Sequence, residues 1–295
     1  MPQPALTIAS LIRTPALAEA CGQWLKGGRH RLVAIDPGAD PVGELERRRE
    51  EFDAILLEEG AVTESLYATL RERGLQWPAV LIGPVSGRVL FHEAELRLPA
   101  DQLEQLGYSL DAAVSRFLRR CTLPQASPPG AEETADAGGV TPEGWRLPNR
   151  LNGRLGYLGV YYKRDPSRFL GNLAAGERRE LMDSLRRTYR DLLISYFKDP
   201  AAANQAIESF VNTAFFSDLP ITKTVEIHMD LIEEFSKQLM LKGKKNDFLQ
   251  DYRLALLDVM AHLCEMYRRS IPPDLPLMPA PLPEAGLPES TLPPA

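Results

Sequence analysis

Phe52-Asp53-Ala54-Ile55-Leu56-Leu57-Glu58 is an apolar run of strand length with an acidic residue near each end. Consecutive apolar positions, rather than alternating ones, mark a strand covered on both faces, as in parallel sheets. Working outward, Leu6–Ile12, Arg31–Ile35 and Ala79–Ile82 repeat the pattern, and Ala94–Leu98 repeats it more faintly. Helical stretches separate these runs. Pro15–Lys26 opens with proline in its first turn, 43–51 is charged, and 64–73 carries Leu66 and Leu70 on one face before Gly74. The last, 101–120, has Asp101 as its N-cap. Strands alternating with helices predict an α/β unit, a doubly wound parallel sheet, over residues 1–121.

From Arg146 onward the β pattern stops and helical periodicity takes over. Helices are expected over 146–163, 176–198, 201–217, 220–242 and 246–270. Asp165-Pro166, Asp199-Pro200, Leu219-Pro220 and Lys242-Gly243-Lys244 fall between them, where breakers belong. Residues 147–271 therefore read as an all-α bundle. Residues 122–146, rich in proline, glycine and small or acidic side chains, read as a linker. Nine of the 25 residues from Ile271 onward are proline, so 272–295 reads as a disordered tail.

Of the 295 residues 44% are hydrophobic and 25% charged, with a net charge of −6. That balance lacks the strongly basic footprint of a nucleic-acid binder. Residues 147–270 hold 19 basic and 16 acidic side chains, a slight excess that suits an acidic peptide partner. No run approaches the ~20 apolar residues of a membrane span, and no secretory leader is expected. Cys21, Cys121 and Cys264 are far apart and at no zinc spacing, so they read as reduced thiols of a cytoplasmic protein without a metal.

The β/α order resembles a response-regulator receiver. Asp53–Glu58 has the form of the strand that ends on the phosphorylated aspartate, and Glu95-Leu96-Arg97-Leu98-Pro99 the form of the strand whose lysine precedes proline. Phosphoryl transfer there needs a carboxylate nucleophile, an acidic pair for Mg²⁺, a hydroxyl and a cation. This chain has Glu58 at the nucleophile position, Ser10-Leu11-Ile12 where the acidic pair belongs, Gly83 for the hydroxyl and Leu98 for the lysine. Loss of all four parts predicts a pseudo-receiver, a scaffold without phosphotransfer chemistry. Glu58-Glu59 reads as a solvated strand end in preference to a fixed phosphate mimic. The rival reading is a signalling output protein in which an active phospho-receiver controls a helical effector.

Four stretches of the second half carry a more specific resemblance: Leu155–Pro166, Val225-Glu226-Ile227-His228-Met229, Asp251-Tyr252-Arg253-Leu254 and Ala261–Pro272. They are very similar to the KaiA family of cyanobacterial circadian-clock proteins, over roughly 146–272. The resemblance implies a pseudo-receiver followed by a dimeric C-terminal helical bundle, with no catalysis and no cofactor of its own. It implies that the bundle grips the C-terminal peptide of the hexameric kinase KaiC and promotes KaiC autophosphorylation. It implies sequestration by KaiB within a KaiB–KaiC complex. Pseudo-receivers of the family have also been linked to oxidised quinones.

The last helix shows two apolar stripes, Phe248, Tyr252, Ala255, Val259 and Met266 beside Leu249, Leu256, Met260, Leu263 and Tyr267. One stripe suffices inside a bundle, so the second suggests a subunit interface or a partner groove; a central helix of a monomer is the alternative. The dimer interface is expected at Leu155, Leu158, Tyr161, Leu256 and Leu263. The preceding helix is expected to bury Ile221, Val225, Met229, Ile232, Phe235 and Leu239. The kinase-peptide groove is expected between 231–242 and the end of the last helix, at Leu231, Ile232, Glu233, Glu234, Lys242, His262, Met266 and Arg269. Apolar anchors beside charged neighbours suit a peptide, although core plus solvated face gives the same pattern. His228 and His262 lack ligand spacing and read as satisfied interface histidines.

Overall fold

A computed structural model describes residues 6–61, 64–122, 147–148, 150–151, 164–242 and 247–270. The expected linker and tail, and nearly all of the helix expected over 146–163, lie outside the described residues.

Five strands form the first unit: β1 (Leu6–Leu11), β2 (His30–Ala34), β3 (Ala54–Glu58), β4 (Ala79–Ile82) and β5 (Leu96–Leu98). All are parallel, in the order β2-β1-β3-β4-β5, the flavodoxin-like winding whose chain direction reverses between β1 and β3. Ala54–Leu57 and all of β4 are buried, as their unbroken apolar runs require. Helix α1 (Pro15–Trp24) and α4 (Leu106–Thr122) cover one face; α2 (Pro41–Arg47) and α3 (Glu64–Glu72) cover the other. Helix α2 starts earlier than its charge pattern suggests, because Asp40 caps it by accepting the Gly43 N–H at 3.0 Å. Asp101 is not an N-cap: a 3₁₀ turn, Leu103–Gln105, follows Gln102 and leads into α4.

The second unit comprises α5 (Ala175–Ser195), α6 (Pro200–Phe216), α7 (Ile221–Leu241) and α8 (Arg253–Ser270), with a 3₁₀ stretch at Asp247–Tyr252. Asp199 caps α6 by accepting the N–H groups of Ala201 and Ala202, with Pro200 at the first position. Arg164 pins the incoming chain: it bonds the Phe215 carbonyl and Asp218, and lies over the rings of Phe169, Phe215 and Tyr267.

Between β4 and β5 the described chain forms no helix. Helix α6 packs on β5 instead, so the bundle covers part of the sheet unit. The contact is close. Gly87, at φ +69°, donates its N–H to Gln205, and a Cβ there would meet that of Ala201 at 2.4 Å. One apolar core runs from Leu56 and Val80 of the sheet through Leu106 and Leu110 of α4 to Leu185 and Phe210 of the bundle.

Candidate functional site

The site where a receiver would hold phosphate is closed by this chain's own side chains. Glu58 ends β3, and its carboxylate accepts the N–H groups of Arg13 at 2.7 Å and Thr14 at 3.0 Å, and the Thr14 hydroxyl at 2.5 Å. Partial burial pushes its pKa up, but the bonds from Thr14 and Arg13 outweigh that and leave it below the usual carboxylate range. The N–H groups ahead of α1, where an anion would dock, are thus taken by Glu58. Glu59 folds over Gly83 and bonds Arg97 at 2.8 Å. Both carboxylates stay half-exposed, as expected of a strand end, but each has fixed partners. Arg97 points to the other face from fully buried Leu98 and cannot stand in for the missing lysine. No group of three or more His, Cys, Asp or Glu side chains able to hold a metal occurs among the described residues.

The junction between the units is built from buried polar groups. Gln105, fully buried, donates to Ser184 at 2.6 Å and Thr188 at 2.8 Å and accepts from Thr213 at 2.8 Å. Gln102 accepts from Thr188 and donates to Asp191. Sequence reasoning passed over both glutamines, since a polar residue in a helix start looks solvated until its tertiary partners are known.

Beside this network Asp111 of α4 collects Arg29 at 2.6 Å, His30 at 2.9 Å and Arg168 at 3.4 Å. Burial works to raise the Asp111 pKa, yet the facing His30 and Arg29 hold it well below the carboxylate range. Burial lowers the His30 pKa against the opposing pull of Asp111, and its Nε2–H donates to the carboxylate. Arg168 also lies 4.1 Å from the Tyr108 ring centroid, and its carbonyl accepts the Tyr108 hydroxyl. Gly107 makes room for it, because a Cβ there would meet the guanidinium at 2.2 Å.

The expected peptide and interface residues fall in different places. Leu231 and Leu263 are buried in the core of one chain. Glu234 is bound by Arg190 and Arg186 of α5, and Glu233 by Lys237 of its own helix. Ile232 is half-buried and Lys242 exposed. His262, Met266 and Arg269 line one cleft with α4 and α6, away from the α7 residues. The structure thus brings together the α8 part of the expected groove and leaves its α7 part elsewhere. Leu256 is half-buried; Leu155, Leu158 and Tyr161 lie outside the described residues.

The α7 stripe is corrected in its first half, whereas Ile232 and Phe235 pack against the core as expected. Thr224, Ile227, His228 and Leu231 face inward, whereas Ile221, Val225 and Met229 are exposed, Met229 by 59%. His228 is buried because the Tyr189 hydroxyl gives it a partner at 3.2 Å. On α8, Ala255, Val259 and Leu263 form the buried stripe, while Leu254 and Leu257 face out. His262 is exposed, and its Nδ1 bonds the Asp258 carbonyl.

Two family models match the chain: "Circadian clock protein KaiA, N-terminal domain" over residues 6–121 and "KaiA C-terminal domain" over 153–274. A relative from Parasynechococcus marenigrum, named circadian clock oscillator protein KaiA, is 58% identical over 94% of this chain and 93% of its own. The protein of the same name from Synechococcus elongatus is 39% identical, over 90% of this chain and 98% of its own. The solved C-terminal domain of KaiA from Thermosynechococcus elongatus BP-1 is 48% identical, covering 34% of this chain and 95% of its own, with a TM-score of 0.31.

Proposed function

The chain belongs to the KaiA family of circadian clock oscillator proteins, and from that premise we propose that it is a non-enzymatic regulator that binds the C-terminal peptide of KaiC and stimulates KaiC autophosphorylation. It works as a homodimer, and a KaiB–KaiC complex ends the stimulation by sequestering it. Three free thiols accord with a reducing, cytoplasmic setting.

The observation that carries the binding role is the outward apolar face of the bundle. Ile221, Val225 and Met229 follow one another at four-residue spacing on α7, and Leu254 and Leu257 face out on α8. A helix whose inward face is already packed has no use within one chain for a second apolar stripe. A second copy of the chain covers it, and peptide binding uses the surface left at His262, Met266 and Arg269.

Fluorescence anisotropy with a labelled KaiC C-terminal peptide tests the reading. The full chain should give saturable binding that His262→Ala weakens while the melting temperature stays unchanged. Absence of saturable binding to the wild-type chain would overturn it.

A further inference from the structure

We propose that residues 164–170, the strap that carries the chain into the bundle, are held on the sheet unit by a proton-operated latch: Arg168 sits on Asp111 while His30 is neutral and leaves when His30 takes up a proton.

The strap is pinned at both ends and latched in the middle. Arg164 bonds the Phe215 carbonyl and Asp218. The Leu170 N–H donates to the Ser217 carbonyl at 2.7 Å. Both pins lie at the end of α6. Between them the turn Pro166–Arg168 is tied to α4 by Arg168, through Asp111 and the ring and hydroxyl of Tyr108. Pro166 and Ser167 are exposed, so the turn can open locally while the pins hold.

Asp111 has more donors than it can serve well. Its Oδ1 takes Arg29 at 2.6 Å and His30 at 2.9 Å, and its Oδ2 takes Arg168 at 3.4 Å, the longest of the three. The buried Arg29 Nε finds no acceptor at all among the described residues. With His30 neutral, one buried carboxylate already faces two guanidinium groups. A protonated His30 adds a third cation where water does not screen it. His30 is paired with Leu6 in the sheet and Arg29 is its neighbour, so both stay. Arg168, on the strap and beside a cleft of about 680 Å³, is free to move into water.

The other charged groups of the cleft are occupied or of the wrong sign. Glu104, in the turn before α4, holds Arg187 of α5. Asp165 of the strap accepts the Ser167 N–H, and Glu177 of α5 the Ala174 N–H. Lys26, in the loop before β2, adds positive charge. Burial is the largest influence on His30 and disfavours its proton; Asp111 favours it, and Arg168 and Arg29 oppose it. Opening the strap hydrates the ring and removes Arg168, so the open form binds the proton more tightly, with a pKa of ~6.5 or higher. The latch therefore holds above that pH and weakens as pH falls through it.

The test uses the full chain. Lowering the pH from 7.5 to 5.5 should speed amide exchange across 166–170 by about three- to tenfold, after correction for the intrinsic pH dependence. His30→Gln keeps a neutral N–H for Asp111 and should show no such change. With ¹³C-labelled histidine, one of only four in the chain, the His30 signal should titrate at higher pH in Arg168→Ala than in wild type. An equal acid response in His30→Gln and wild type would overturn the latch. So would a His30 titration that Arg168→Ala leaves unmoved, and that measurement decides alone if His30→Gln fails to fold.

Discussion

Glu58 shows how much a single methylene matters. A longer carboxylate at the end of β3 reaches the N–H groups of Arg13 and Thr14 that would otherwise receive an anion. Incubation with acetyl phosphate and Mg²⁺ should therefore leave the intact mass unchanged. Gain of one phosphoryl group, abolished in Glu58→Ala, would restore the active-receiver reading. His92 is a second informative residue. Its Nε2–H donates to the Trp77 carbonyl at 2.7 Å and its Nδ1 accepts the Ala94 N–H at 3.1 Å, so the neutral ring is fixed from both sides. Burial pushes its pKa down to about 4. With the folded pKa depressed, the unfolded chain takes up the proton first, and stability is lost as pH falls from ~6.5 toward 4. The full effect is about 3 kcal/mol. Urea midpoints at pH 7 and 4.5 should converge in His92→Leu relative to wild type; an equal difference in both proteins contradicts this assignment.

At the scale of elements, the sequence was most legible where burial is complete. Strands β3 and β4 are apolar at successive positions because both faces are covered. The start of α4 was misplaced because Gln102 is spent on Thr188 and Asp191, partners that sequence distance hides. The first half of helix α7 was turned to the wrong face for a related reason, while Ile232 and Phe235 pack against the core as expected. It carries two apolar stripes, and Thr224 and His228 go inward while Val225 and Met229 go out. The candidate site was half legible: His262, Met266 and Arg269 share a cleft, but Glu234 serves α5. Met229→Glu should spare the fold, since the side chain is exposed, and should shift sedimentation of the full chain from dimer toward monomer. A wild-type chain that sediments as monomer, or a variant dimer of unchanged affinity, would remove α7 from the proposed interface.

At the scale of the whole molecule, the sheet unit and the bundle share one core and one polar seam. Gln105 is the centre of that seam. Gln105→Leu would strand the Thr213 and Ser184 hydroxyls away from water, while Thr188 keeps its bond to Gln102, and should cost about 1–3 kcal/mol, read as a lower urea midpoint. It should also raise hydrogen exchange in α4 and α5 together, because both sides of the seam lose partners; a change confined to one unit would show that the seam does not couple them. Incubating KaiC with ATP and following phosphorylated KaiC over time, with and without the full chain, tests the proposed stimulation most directly. A higher level of KaiC phosphorylation is expected when the chain is present. Identical time courses, at chain concentrations that saturate the KaiC peptide, would contradict it.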